Sequence, residues 1–263
     1  MSRRDGVGAF FDLDGTLLAA PSAERRFIFH LLTRGWIGPA QFARWGMRFI
    51  ADAARDPRKG MAANKRYFSG VPTRCGEEWS RYLALHPVKL FSDGLDRLEF
   101  HFAQGHRIFL ITGAPAPLAE LVASYFPVPL TIVGTELEVC DGLWTGEIVG
   151  EHLCGAAKRR AIVRLAALHG LDQERSFAYG DSGSDLPMLE TVGHPAAVNP
   201  LKDLERAARA RGWPVLCWRE LRRGRHWNEI RNPRVENSRG TGAPLTAVDA
   251  NFMQSMNRQG INR

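Results

Sequence analysis

Apolar positions along this chain follow two spacings. Short unbroken apolar runs that stop at a polar turn occur at residues 9–11, 107–111, 176–179 and 215–217. Runs of that length, bounded by turn residues, predict buried strands. Between them, apolar residues recur three and four apart, as in Phe27, Ile28, Leu31 and Leu32, and predict helices. Ser22 stands where the N-cap of that helix belongs, and Gly35 where it should end. Residues 37–85 continue in helical spacing, with Trp45, Phe49, Tyr67, Phe68 and Trp79 as large positions and no convincing strand. "SDGLDRLEFHFAQG" reads as a further helix, closed by Gly105, and Pro115 and Pro117 suit the first turn of the helix after strand 107–111. "TELEVCDGLWTGEIVG" alternates on both sides of Asp141-Gly142, which predicts a hairpin. Residues 156–168 form a basic amphipathic helix pattern.

Strands alternating with helices predict an α/β fold with a doubly wound, Rossmann-like parallel sheet. The predicted core comprises residues 1–18 and 90–223, with residues 19–89 as a helical insert after the first strand. Residues 224–263, rich in Asn, Arg and Gly, read as a flexible tail. In a doubly wound sheet the ligand crevice lies beyond the carboxyl ends of the strands. Three polar clusters here each follow a predicted strand: Asp12 with Asp14, Thr112 with Gly113, and Asp181 with Asp185. They are expected to meet in one crevice.

Composition narrows the class. The 263 residues are 44% hydrophobic and 24% charged, and no run approaches the roughly 18 apolar residues of a membrane span. Arg3 and Arg4 precede an apolar run too short for a signal peptide, so the expected location is cytoplasmic. The cysteines, Cys75, Cys140, Cys154 and Cys217, form no C-x-x-C pair and read as reduced, mostly buried thiols. The net charge of +7 is concentrated at one end. Residues 219–263 hold nine Arg against four Asp or Glu, while the other 218 residues hold 26 basic and 24 acidic side chains. The segment "WRELRRGRHWNEIRNPR" would allow weak contact with an anionic surface, and a binding protein for nucleic acid or membrane is the competing class of function.

The acidic clusters carry the chemistry. Asp12, Asp14, Asp181 and Asp185 brought together would repel one another, and oxygen-only ligands suit a hard cation such as Mg²⁺. Lys158, on the basic helix before the third strand, can add positive charge. The hydroxyl and free N–H groups at Thr112 and Gly113 suit a phosphate.

"DLDGT" at 12–16, "LITG" at 110–113, Lys158 and "GDSGSD" at 180–185 together resemble the haloacid dehalogenase superfamily, over about residues 7–216. "FFDLDGTL", the insert, "AKRRAI" and "YGDSGSDLPML" resemble its subgroup that includes phosphoserine phosphatase. The resemblance implies a Mg²⁺-dependent phosphatase with residues 19–89 as a helical C1-type cap. It implies that Asp12 is the nucleophile that forms an aspartyl-phosphate, and that Asp14 is the general acid and base. The metal would sit at Asp12, the backbone carbonyl of Asp14, and Asp181, with Asp185 as a ligand or orienting group. Thr112 and Gly113 would hold phosphoryl oxygens, and Lys158 would neutralise charge.

The substrate implied is a small phosphorylated metabolite or alcohol. The same motifs would serve a phosphotransferase or a lipid-phosphate phosphatase. Phosphoserine phosphatases carry a cap acid near the position of Pro21-Ser22; here the nearest is Glu24, so phosphoserine is not the expected best substrate. Glu24, Arg25, Arg26, His30 and Arg66 are the candidate specificity residues, and the aromatic cap residues are expected to pack as core.

Overall fold

β1 (Gly8–Phe11) is buried along its whole length, as an apolar run without alternation demands. It lies mid-sheet in the computed structural model, which describes residues 5–40, 43, 45–47, 50, 54, 65–86 and 88–220. β2 (Arg107–Pro115) and β5 (Phe177–Gly180) flank it in parallel. Beyond β2 come β3 (Thr131–Cys140) and β4 (Leu143–Val149); beyond β5 come β6 (His194–Val198) and β7 (Val215–Leu216). The order is β4-β3-β2-β1-β5-β6-β7, and among these described strands the β3–β4 pairing is antiparallel and the others parallel.

Side chains alternate across this sheet into two cores. Phe10, Phe109, Ile111 and Ala178 face one way, where α5 (Ala156–His169) contributes Ala161, Ile162 and Leu165 and α7 (Lys202–Arg211) contributes Leu204 and Ala208. Between those helices the chain makes the short α6 (Leu186–Leu189). Phe11, Leu110 and Tyr179 face the other way, against Leu95 and Leu98 of α3 (Ser92–Ala103) and Leu118 and Val122 of α4 (Ala116–Ala123). Ring stacks tie the central strands: Phe10 on Phe109 at 5.1 Å and Phe11 on Tyr179 at 4.6 Å.

The insert between β1 and β2 extends the second core. Ser22 caps α1 (Ala23–Thr33) by accepting from the Arg25 N–H at 3.2 Å, as its place in the sequence predicts. The insert also contains a 3₁₀ turn, Arg66–Phe68, and α2 (Cys75–Leu85). Phe27 of α1 meets Phe68, Trp79 and Trp144 at ring separations of 5.3–6.0 Å. Trp144 belongs to β4, so the hairpin of the core closes the aromatic cluster of the insert. Backbone bonds reinforce this: Gly70 donates to Trp144, Trp144 to Val71, and Thr73 to Gly142. Gly146 lies against the backbone of Arg66, where a Cβ would come within 2.7 Å of its Cα. Phe27→Ala should therefore destabilise the whole protein by about 3–5 kcal/mol, the usual loss for a buried aromatic. An unfolding free energy from urea titration that falls by less than about 1 kcal/mol would mean that insert and hairpin do not share a core.

Some expectations need correction. Only Cys75 is buried; Cys140, Cys154 and Cys217 are exposed, and all four are free thiols. β6 and α7 follow β5 where the sequence pattern showed no element. Phe49, the tail at 224–263 and the basic segment from residue 221 on lie outside the described residues; at the start of that segment Trp218 is buried against Tyr179 and Arg219 pairs with Asp93 at 2.8 Å. Among the described residues no helix is long and apolar enough to cross a membrane.

Candidate active site

Three strand ends converge. The Asp12 N–H donates to the Tyr179 carbonyl at 3.0 Å, one step past the β1–β5 ladder, and puts the Asp12 carboxylate at the mouth of the crevice. Residues 13–18 then fold into a tight turn, with Leu17 and Leu18 both donating to the Leu13 carbonyl. Gly15 occupies that turn at φ +88°, and a Cβ there would lie 2.0 Å from Asp181 Oδ2. β2 breaks register between Ile111 and Pro115, which takes Thr112 and Gly113 out of the ladder at the same end of the sheet. Thr112 is buried, and its hydroxyl accepts from the Ala114 N–H at 3.1 Å, which leaves its own proton free to donate.

Of the three basic residues in "AKRRAI", the one that points inward is Lys158; Arg159 and Arg160 are exposed. Lys158 is 3% exposed, and its ammonium donates to Asp12 Oδ1 at 2.5 Å and to Asp185 Oδ1 at 2.6 Å. Burial alone would lower its pKa, but the two carboxylates outweigh burial and raise it, so the lysine stays charged. Asp185 is fully buried. Its second oxygen accepts from the backbone N–H groups of Asp181 and Ser182 and from the Ser182 hydroxyl, closing a capping box over residues 182–185. Asp185 thus anchors both the lysine and the loop that presents Asp181.

Carboxylate oxygens of Asp12, Asp181 and Asp185 lie within 4.8 Å of one another. Burial raises the pKa of Asp12 well above the usual carboxylate range, with Lys158 opposing. Burial, followed by repulsion from Asp185, raises Asp181 to about 7. One lysine does not balance this group, and the donor set is all oxygen, so a hard divalent cation fits.

Asp14 stands apart from that cluster. The Ala23 N–H, at the first turn of α1, donates to Asp14 Oδ1 at 2.7 Å. Burial lifts its pKa to about 6 against the lowering effect of that hydrogen bond. Glu24, the next residue of α1, pairs with Lys65 at 2.5 Å, and both act electrostatically on Asp14. His152 reaches Gly113: a Cβ on that glycine would lie 3.5 Å from the imidazole Nε2.

The candidate specificity residues are dispersed. Arg25 is exposed on α1. Arg26 folds back on the loop before α1, donating to the carbonyls of Pro21 at 2.8 Å and Ala20 at 3.3 Å. Arg66 pairs with Glu147 of β4 at 2.8 Å. His30 is buried, its ring packed against Trp79 and Tyr82, which makes it part of the insert's aromatic core. Lys65 and His152 escaped the sequence reading. Lys65 is next to the more conspicuous Arg66, and His152 stands in a loop with no repeating pattern.

Residues 9–190 match the family of haloacid dehalogenase-like hydrolases. The chain belongs to that family. It is 33% identical over 226 residues to the phosphoserine phosphatase SerB1 of Mycobacterium tuberculosis, covering 82% of this chain and 72% of that protein. A probable phosphatase of the same organism is 30% identical over 225 residues, covering 82% of this chain and 76% of that one. A crystal structure of a Bordetella pertussis protein of unknown function aligns with a TM-score of 0.67 at 27% identity, covering 80% of this chain and 98% of the other. This haloacid dehalogenase-like protein is a phosphoric monoester hydrolase, and phosphatases of the family typically use a divalent metal.

Proposed function

We propose that this phosphatase hydrolyses a small phosphate monoester through a phosphorylated Asp12, with Mg²⁺ held by Asp12, the Asp14 carbonyl and Asp181. The observation that carries the reading is the buried Lys158 ammonium between Asp12 and Asp185, while Asp14 is held separately by α1. Lys158 takes one oxygen of Asp12 and leaves the other to attack phosphorus. Thr112 O–H and the Gly113 N–H receive phosphoryl oxygens in the register break of β2. Asp14 accepts the Ala23 N–H at Oδ1, so its proton belongs on Oδ2 and passes from there to the leaving oxygen. The resulting carboxylate takes a proton from the water that cleaves the acyl-phosphate and returns Asp12. When bound, the cation would screen the approach of one anion to another.

Release of inorganic phosphate from p-nitrophenyl phosphate should require Mg²⁺ and stop in EDTA. A second expectation follows from the electrostatics. A folded-state pKa raised above its ordinary value of 3.8 gives Asp181 a stabilising contribution that is complete below that value. The contribution is lost as pH rises toward about 7. A cation relieves that loss, so the rise in Tm on adding Mg²⁺ should be larger at pH 8 than at pH 5. Full activity in EDTA, or an equal Tm rise at both pH values, would overturn the metal assignment.

A further inference from the structure

The leaving-group side of the site contains polar groups that the reaction above does not use. Lys65 is 8% exposed, and its ammonium has three donors. Among the described residues its one hydrogen-bond partner is Glu24. Glu24 follows Ala23, whose N–H holds Asp14, so the pair stands beside the group that protonates the leaving oxygen. His152 approaches the same region from the core, against Gly113, and among the described residues its buried Nδ1 has no hydrogen-bond partner. A buried donor or acceptor without a partner is costly unless something else satisfies it.

We propose that Lys65, oriented by Glu24 and flanked by His152, is a specificity-determining residue that binds a second oxygen, hydroxyl or carboxylate, on the leaving alcohol. The proposal rests on the phosphomonoesterase reading above. Electrostatics agree with the placement. The Asp14 carboxyl responds to both Lys65 and Glu24. Burial, then Lys65 and Lys158, pull the His152 pKa down to about 4, so its ring is neutral and one nitrogen is an acceptor. Glu24 is already neutralised by Lys65, so an ammonium on the substrate would meet a carboxylate that has its cation. The chemistry selected is an oxygen-bearing, uncharged or anionic leaving group, with neither a bare hydrocarbon nor an amine favoured.

Three phosphate esters on one three-carbon skeleton test this: n-propyl phosphate, glycerol 3-phosphate and 3-phosphonooxypropanoate. At least one of the two oxygenated esters should exceed propyl phosphate in kcat/KM by about tenfold or more, the scale expected of one polar contact. The ester that leads tells hydroxyl from carboxylate. Lys65→Met should bring that ratio toward one, and Lys65→Arg should retain part of it. His152→Leu should lower the same ratio, which provides an independent variant should Lys65→Met fail to fold by circular dichroism. A wild-type ratio near one for both esters, or a ratio unchanged in folded Lys65→Met and His152→Leu, overturns the inference. Absence of phosphate release from every ester, p-nitrophenyl phosphate included, would instead overturn the phosphomonoesterase reading.

Discussion

Asp12→Asn is expected to remove turnover by many orders of magnitude while leaving the fold in place. The amide matches the carboxylate in shape, so the Asp12 N–H bond to Tyr179 and the β1 ladder are untouched. The oxygen that attacks phosphorus in the proposed mechanism is lost. Lys158 keeps its bond to Asp185 and remains a compensated buried cation, so the melting temperature should change little. The measurement is phosphate release from p-nitrophenyl phosphate beside a thermal melt. Activity at even a tenth of wild type would mean that another group is the nucleophile.

Gly15→Ala should be nearly as damaging, for a steric reason. At φ +88° an L-residue is strained by about 1–2 kcal/mol. A larger effect comes from position, because the new Cβ would occupy the space of the Asp181 carboxylate, 2.0 Å away. Asp181 must move, and the loop it belongs to is fastened by Asp185, so the movement falls on the carboxylate itself. A displacement near 1 Å at a reacting centre costs about 10²-fold in rate. We expect kcat/KM to fall by about that much and the Mg²⁺ concentration for half-maximal activity to rise. A folded Gly15→Ala variant with wild-type metal dependence would show that the turn does not set the place of Asp181.

The convergence of the polar clusters was legible in the sequence because strand ends in a doubly wound sheet project onto one edge. Asp12, Thr112 and Asp181 needed only three strands and their order to be brought together. Lys158 needed its helix phase as well: three adjacent basic residues are equivalent in composition, and only burial distinguishes the first from Arg159 and Arg160. β6 was missed because "HPAAV" combines a proline with two alanines and lacks the large branched residues that mark strands. α7 was missed because "KDLERAARAR" buries only Leu204 and Ala208, too few apolar positions to show a period. Lys65 and Glu24 are 41 residues apart and meet only through the fold of the insert. His30 looked like a polar candidate, yet the rings of Phe27, Trp79 and Tyr82 around it make it a packing residue.

The bond pattern at the far side of the hairpin has a consequence for behaviour in concentrated solution. An outermost strand offers unpaired N–H and C=O groups on which another chain can polymerise. On β4 the Trp144 C=O and N–H are met from within the same molecule, by Gly70 and Val71 of the returning insert, and Thr73 donates to Gly142 just before the strand. At the opposite margin β7 is only two residues long, which gives an incoming strand little to register against. Neither margin thus offers an incoming strand a long open ladder: the insert occupies β4 at Trp144, and β7 is too short, so the insert that extends the second core also disfavours amyloid-like growth at that edge.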